Sequence, residues 1–183
     1  MLCATAAIRP GWCERLMKRR HLLALAAMLV LGACAKAAPQ AEGSAAAASA
    51  GAAFLAKNAK DPGVVTPKSG LQYRILHSGP AGGLRPKPAD EVKVNYEGKL
   101  LDGSVFDSSY DRGSPAVMTV RDLVPGWQEA LQLMRPGDEW LVYLPSNLGY
   151  GANGAGPIPP NAVLVFKLEL IDVLPDSSSI GHG

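Results

Sequence analysis

Cysteine is scarce in this chain and confined to one end. Cys3, Cys13 and Cys34 all lie within the first 34 of 183 residues, so no disulfide framework holds the rest together. Histidine is equally sparse. His21, His77 and His182 are far apart, and no His/Cys group stands at metal-ligand spacing, so neither a metal nor any other cofactor is expected. The main apolar run, Leu22–Ala33, has 12 residues. As a helix it spans roughly 18 Å against the ~30 Å of a hydrocarbon core, too short for a mature membrane-spanning helix. An excess of one charge is missing too. The formal net charge of +2 comes from the first 34 residues, which hold 5 basic groups against 1 acidic, whereas residues 35–183 hold 13 against 15. A body this close to neutral offers no electrostatic case for binding nucleic acid. The length fits one domain plus extensions.

What is present begins with a leader. Met17-Lys18-Arg19-Arg20-His21, then the short apolar run, then small residues form the pattern of a secretory signal peptide over residues 1–33. Arg9-Pro10-Gly11 has no place in such a leader, so translation is expected to start at Met17. Leu31-Gly32-Ala33-Cys34 resembles a bacterial lipobox, which implies that Cys34 is lipidated and becomes the mature N-terminus. Several acyl chains on one cysteine anchor stably where a single chain does not. Ala35 after the cysteine implies outer-membrane sorting by the same resemblance. Ala33-Cys34-Ala35 also reads as an ordinary A-x-A-like cleavage site, which would leave a soluble periplasmic protein.

Residues 34–66 read as a tether. Ala35–Ala53 is a low-complexity Ala/Gly/Ser stretch whose alanines favour helix, but no buried face is apparent before Phe54 and Leu55. A short, frayed helix over 45–60 is expected, ended by Asp61-Pro62-Gly63. The tether would reach ~110 Å extended and ~30 Å as a flexible coil.

The globular domain is placed at 67–175, followed by a flexible tail over 176–183. Strand patterns recur at 71–76, 91–100, 105–107, 116–120, 138–144 and 162–174. In the last, Leu164, Phe166, Leu168 and Leu170 share one face and Lys167 and Glu169 the other; Val142 and Leu144 likewise oppose Tyr143. One helix is expected, from Pro125: Trp127, Ala130, Leu131 and Met134 fall at i, i+3, i+4 and i+7, and Pro136-Gly137 stops it. Strands that each bury one side, with one short helix to cover them, give an α+β fold in which an antiparallel twisted β-sheet wraps around that helix.

The densest information lies in Tyr96-Glu97-Gly98-Lys99-Leu100-Leu101-Asp102-Gly103-Ser104-Val105-Phe106-Asp107-Ser108-Ser109. Val92, Val94 and Tyr96 alternate with polar residues, Asp102-Gly103 supplies a hairpin turn, and Phe106-Asp107 sets an aromatic ring beside a carboxylate. With Gly126-Trp127 and Tyr150-Gly151 downstream, this stretch resembles the FKBP-type peptidyl-prolyl cis-trans isomerases, and the resemblance runs from about Leu71 to Leu174. It implies an FKBP-like fold, proline-containing polypeptides as substrates, and inhibition by an FKBP-binding macrolide. Phe54–Lys60 and the residues up to Tyr73 resemble the entry to the catalytic domain in dimeric relatives, of whose long helical arm only a stub remains here, so a monomer is expected.

Carried onto this sequence, the family's site implies Tyr96, Phe106, Asp107, Trp127, Tyr150 and Phe166 as catalytic residues, with Leu123, Val124 and Ile158 binding substrate. Trp127 would be the floor, with Gly126 leaving its ring room, and Tyr96, Phe106 and Phe166 the walls. Tyr150 would donate its hydroxyl to the substrate carbonyl, and Asp107, paired with Arg112, would polarise the pocket without acting as a base. Ala116 stands where relatives carry a bulkier residue, which implies a lowered wall, and the Gly/Pro-rich loop 151–160 is expected to cover the pocket. A rival reading keeps the bowl as a module that holds polypeptides without turnover. Ser108-Ser109 lacks a histidine partner, and Asp102 and Asp107 make no compelling glycosidase pair.

Overall fold

The computed structural model describes residues 39–176. The leader, Cys34 and the tail after 176 lie outside the described residues. The chain forms helix α1 (Pro39–Asn58), strands β1 (Val64–Val65), β2 (Gln72–His77), β3 (Glu91–Lys99), β4 (Val105–Ser108) and β5 (Ala116–Thr119), helix α2 (Pro125–Leu133), and strands β6 (Glu139–Leu144) and β7 (Leu164–Leu174). Two 3₁₀ turns, Val120–Asp122 and Ser146–Leu148, precede α2 and the loop to β7.

The strands form one antiparallel sheet in the order β1-β2-β6-β7-β3-β4, with β5 also on β3. β3 is long enough for two neighbours along one edge: Glu91–Val94 pairs with β5 and Glu97–Lys99 with β4. Side chains of period two then sort themselves. Val92, Val94 and Tyr96 of β3, Trp140, Val142 and Leu144 of β6, and Leu164, Phe166, Leu168 and Leu170 of β7 are all buried. Trp127, Ala130, Leu131 and Met134 from α2 and its C-cap close the core. The expected α+β architecture and the expected helix face are both present.

Three features depart from the expectations. In β7 the register shifts by one residue, so that Lys93 faces Asp172 but Val94 faces Leu170. The extra residue inverts the alternation, and Val173 rather than Asp172 is buried beyond it. Tyr143, on the face opposite Val142 and Leu144, is buried as well, and Phe54 packs on it with ring centroids 5.8 Å apart. That contact belongs to the third departure: residues 39–58 form a 20-residue helix instead of a loose tether with a short helix over 45–60.

α1 docks through small and polar groups, which is why no apolar stripe announces it. A Cβ on Gly51 would lie 2.7 Å from Val163 Cγ2, so only glycine allows this approach. Asn58 Nδ2 donates to Gln72 Oε1 at 2.8 Å, and Gln72 Nε2 donates to the Leu55 carbonyl at 2.9 Å. Asn161 Nδ2 donates to Ser44 Oγ at 2.6 Å. Buried polar groups are tolerable only when paired in this way.

A buried carboxylate ties β6 to its surroundings. Asp138 accepts from the Gly79 N–H at 2.6 Å and the Arg135 N–H at 2.8 Å. Asp138→Ala strands two backbone donors, and the expected loss is about 2–4 kcal/mol of stability, read as a lower urea midpoint at unchanged slope. A loss below about 1 kcal/mol would show that the carboxylate does not hold this junction.

Candidate active site

The site opens at the end of the sheet where β3, β4 and β7 meet the first turn of α2. It begins with a backbone constraint: a Cβ on Gly98 would lie 2.6 Å from Phe106 Cζ and 2.7 Å from Phe166 Cε1. Glycine therefore lets two phenyl rings close over β3, where they meet edge to face with centroids 5.5 Å apart. A second glycine seats the helix. A Cβ on Gly126 would lie 2.6 Å from Leu144 Cγ, so Gly126 makes room for Leu144 of β6.

With α2 so placed, Trp127 becomes the hub of the aromatic set. Tyr96 stands 5.0 Å from it at 85° and Phe166 5.1 Å from it at 88°. Edge-to-face contacts of this kind lock ring orientation as well as burying area. Trp127 is 4% exposed, and its buried indole N–H has no hydrogen-bond partner among the described residues. Around this floor lies a cavity of about 270 Å³ lined by Tyr96, Phe106, Asp107, Leu123, Val124, Trp127, Tyr150 and Phe166. Eight of the nine expected pocket residues thus converge.

Ile158 does not join them. It is 7% exposed and packs in the core, and paired backbone hydrogen bonds with Ala155 fold the 151–160 loop around it. Ala116 does not line the cavity either. Met118, two residues along β5, does so together with Asp122, and neither was expected. The signal for Met118 was present in the alternation of β5, since Ala116 and Met118 share a face. Asp122 carried none.

The polar side of the cavity is one network. Tyr96 Oη donates to Asp107 Oδ2 at 2.6 Å, Arg112 donates to Tyr96 Oη at 2.7 Å, and Arg112 also forms a close ion pair with Asp107. The guanidinium lies 5.2 Å from the Tyr96 ring centroid. Ser109, fully buried, holds the arrangement: its hydroxyl accepts from the Tyr96 N–H and its own N–H donates to the Tyr96 carbonyl, both at 2.9 Å.

These contacts set the charge states. Partial burial raises the Tyr96 hydroxyl pKa, and its bond to Asp107 raises it further against the opposing Arg112. Partial burial alone would raise Asp107, but the hydrogen bonds from Tyr96 and Arg112 outweigh it and hold the carboxyl below the usual range. Neither group exchanges a proton near neutrality, so the site has no general acid or base in this network. The lowered Asp107 pKa contributes stability above the unfolded carboxyl value of ~3.9, lost as pH falls through the folded value. The raised Tyr96 pKa contributes below ~10, lost as pH rises through the folded value. Tyr96 ring resonances should therefore stay constant from about pH 5 to 9, and a titration centred near neutrality would show that the network is not closed as described.

Leu123 and Val124 have extended backbone, with φ/ψ of −88°/165° and −60°/148°. The Val124 N–H has no partner among the described residues. Tyr150, 41% exposed, also lines the cavity, and the next residue is held by the Gly151 N–H donating to the Ser146 carbonyl at 2.8 Å.

Known proteins share this sequence and fold. Residues 82–171 match the family model described as FKBP-type peptidyl-prolyl cis-trans isomerase, and residues 16–75 match the domain amino terminal to it. The chain is 52% identical over 122 residues to the peptidyl-prolyl cis-trans isomerase Mip of Coxiella burnetii, covering 66% of this chain and 52% of that protein. It is 48% identical over 128 residues to the FKBP-type 22 kDa peptidyl-prolyl cis-trans isomerase of Escherichia coli, covering 69% and 61%. It thus spans about half to three fifths of the length of such curated relatives. Among solved structures, FkpA from Escherichia coli superposes with a TM-score of 0.72 at 34% identity, covering 92% of this chain and 74% of that one. A peptidyl-prolyl cis-trans isomerase from Pseudomonas syringae pv. tomato gives 0.67 at 37% identity, covering 72% and 96%. Sequence and fold agree, and the chain belongs to the FKBP-type peptidyl-prolyl cis-trans isomerase family.

Proposed function

We propose that this domain catalyses cis–trans isomerisation of Xaa-Pro bonds in envelope polypeptides, by rotation alone and without a covalent intermediate. The observation that carries the reading is the seating of Tyr96 and Phe166 at right angles on Trp127, which makes a rigid apolar bowl the size of a proline ring and part of its neighbours.

The chemistry asks for little else. Rotation about the amide faces ~18–20 kcal/mol, while the isomers of an Xaa-Pro bond differ by only ~0.5–1 kcal/mol. Resonance makes the planar amide strongly dipolar, and twisting removes that charge separation. An apolar cavity therefore favours the twisted form over the planar one, and preference for the transition state is catalysis. A 10⁴-fold acceleration needs ~5.5 kcal/mol of such preference. The proline ring packs on Trp127. The Val124 N–H donates to a peptide carbonyl in β fashion, and the Tyr150 hydroxyl donates to another. Asp107, fixed by Arg112, supplies a steady field and no proton.

The purified full chain should accelerate isomerisation of a short Xaa-Pro peptide and be inhibited by an FKBP-binding macrolide. Trp127→Ala should weaken binding and turnover together by about 2–4 kcal/mol. Tyr150→Phe, which removes one neutral donor worth ~0.5–1.5 kcal/mol, should cost turnover tenfold at most and leave affinity nearly unchanged. A folded wild-type protein that binds the peptide but leaves the rate uncatalysed would favour a holding module instead.

The same reading extends to location. No helix among the described residues is long and apolar enough to cross a membrane, and one relative, 48% identical over 124 residues, bears the name outer membrane protein MIP in Legionella longbeachae. We assign residues 1–33 to a cleaved leader, Cys34 to lipidation, and the mature protein to the periplasmic side of the outer membrane. The inward contacts of α1 through Phe54, Gly51 and Asn58 support a monomer. Cys34→Ser should abolish acyl labelling and release the protein from the membrane fraction; wild-type protein found wholly soluble and unlabelled would replace the anchor by plain signal cleavage.

A further inference from the structure

Two carboxylates border the cavity, and they differ. Asp107 is matched by Arg112. Asp122 has no ion pair or side-chain hydrogen bond with any described residue. It closes the 3₁₀ turn that leads into the extended Leu123–Val124 segment, is exposed, and lines the cavity beside Leu123. Arg121, its neighbour, is exposed and does not line the cavity. Arg112 is engaged by Asp107 and Tyr96. With the remaining lining side chains uncharged, the mouth carries one negative charge that has no ion-pair partner among the described residues, next to the Val124 N–H.

We propose that Asp122 makes the site favour Xaa-Pro segments with a lysine or arginine adjacent to the proline; this rests on the isomerase reading of the same cavity. The physical basis is differential binding. A proline ring on Trp127 places its flanking residues at the rim, where a long cationic side chain packs its stem on Leu123 and Met118 and brings its charge to Asp122. An acidic flanking residue meets the same carboxylate as a like charge. Specificity arises from that attraction and that repulsion together. Because the pair is solvent-exposed, the effect is modest and screened by salt, about fivefold between lysine and glutamate at low ionic strength.

Asp122 also stands two residues before Val124, the N-cap of α2, where a negative charge is favourable to the helix dipole. A purely structural role of that kind lowers activity toward every peptide alike, so the ratio between peptides separates the two roles.

The test uses the full chain and two peptide trios, with Lys, Leu or Glu placed immediately before the proline in one and immediately after it in the other. Both kcat/KM and Kd are measured. Wild-type protein should favour Lys over Glu about fivefold in at least one trio, with the preference fading in 1 M salt, where the Debye length is about 3 Å. Asp122→Asn should bring the ratio near one, and Asp122→Lys should invert it. Equal Lys/Glu ratios in wild type and both variants, in both trios, would overturn the proposal. Loss of turnover with every peptide, the Leu peptides included, would reject the isomerase reading instead, while the Kd ratios would still decide whether Asp122 selects charge.

Discussion

The site depends on how closely the first turn of α2 approaches the sheet. Leu144 of β6 occupies the space that a Cβ on Gly126 would fill, and this approach brings Trp127, the next residue, between Tyr96 and Phe166. A larger residue at 126 would have to push the helix away from β6 or displace Leu144, which is fully buried. Interiors packed at crystal-like density do not absorb such a shift locally. The perpendicular contacts of Trp127 would loosen together, since both partners are fixed on strands. Gly98 plays the matching part on the other side, where the Phe106–Phe166 contact occupies the volume its side chain would need. Two missing side chains thus define the bowl as much as the aromatic rings do.

The polar network has a different task. Its carboxyl sits below, and its phenol above, the range in which proteins usually work, so its charge distribution is constant across physiological pH. A rotation that transfers no proton gains nothing from a group poised near neutrality, but it gains from dipoles that need no reorganisation as the amide twists. Arg112 also keeps the Asp107 carboxylate from being a bare charge beside an apolar cavity, which would be costly to desolvate. Among the described residues, the indole N–H of Trp127 and the Val124 N–H have no such partner. Both belong to residues that line the cavity, as expected of a site completed by a ligand rich in carbonyls.

Much of this was legible in the residue order, and the limits have identifiable causes. Alternation at Val92, Val94 and Tyr96 and along Leu164–Leu170 placed the strands and their inner face, because a half-buried strand imposes period two. The spacing of Trp127, Ala130, Leu131 and Met134 placed the helix for the equivalent reason. The bulge that turns Val173 inward could not be seen, since a one-residue shift leaves composition unchanged. α1 was underestimated because its contacts run through Gly51, Ser44 and Asn58, and small or polar groups do not register as a buried face. Ile158 lies in the core and outside the lining of the cavity, a placement that sequence does not reveal, since a loop rich in glycine and proline does not show which way one of its side chains turns. Asp122 was missed for the opposite reason, an exposed charge being unremarked until a cavity lies beside it.

The loop that follows Tyr150 connects these parts. Its two ends are held differently: near Tyr150, backbone hydrogen bonds link Gly151 to Ser146 and Asn161, while beyond it Asn161 bonds Ser44 and Val163 packs on Gly51 of α1. Asn161 adopts φ of 58°, a left-handed conformation that asparagine tolerates better than most side chains. Between these anchors the tight Ala155–Ile158 pairing makes the loop a folded unit of its own, with Ile158 as its attachment to the core. Tyr150 therefore sits at the start of a folded loop, and α1 bears on that loop's far end. A helix that looks like a spacer in sequence is, by its contacts, part of what holds the lip of the cavity in place.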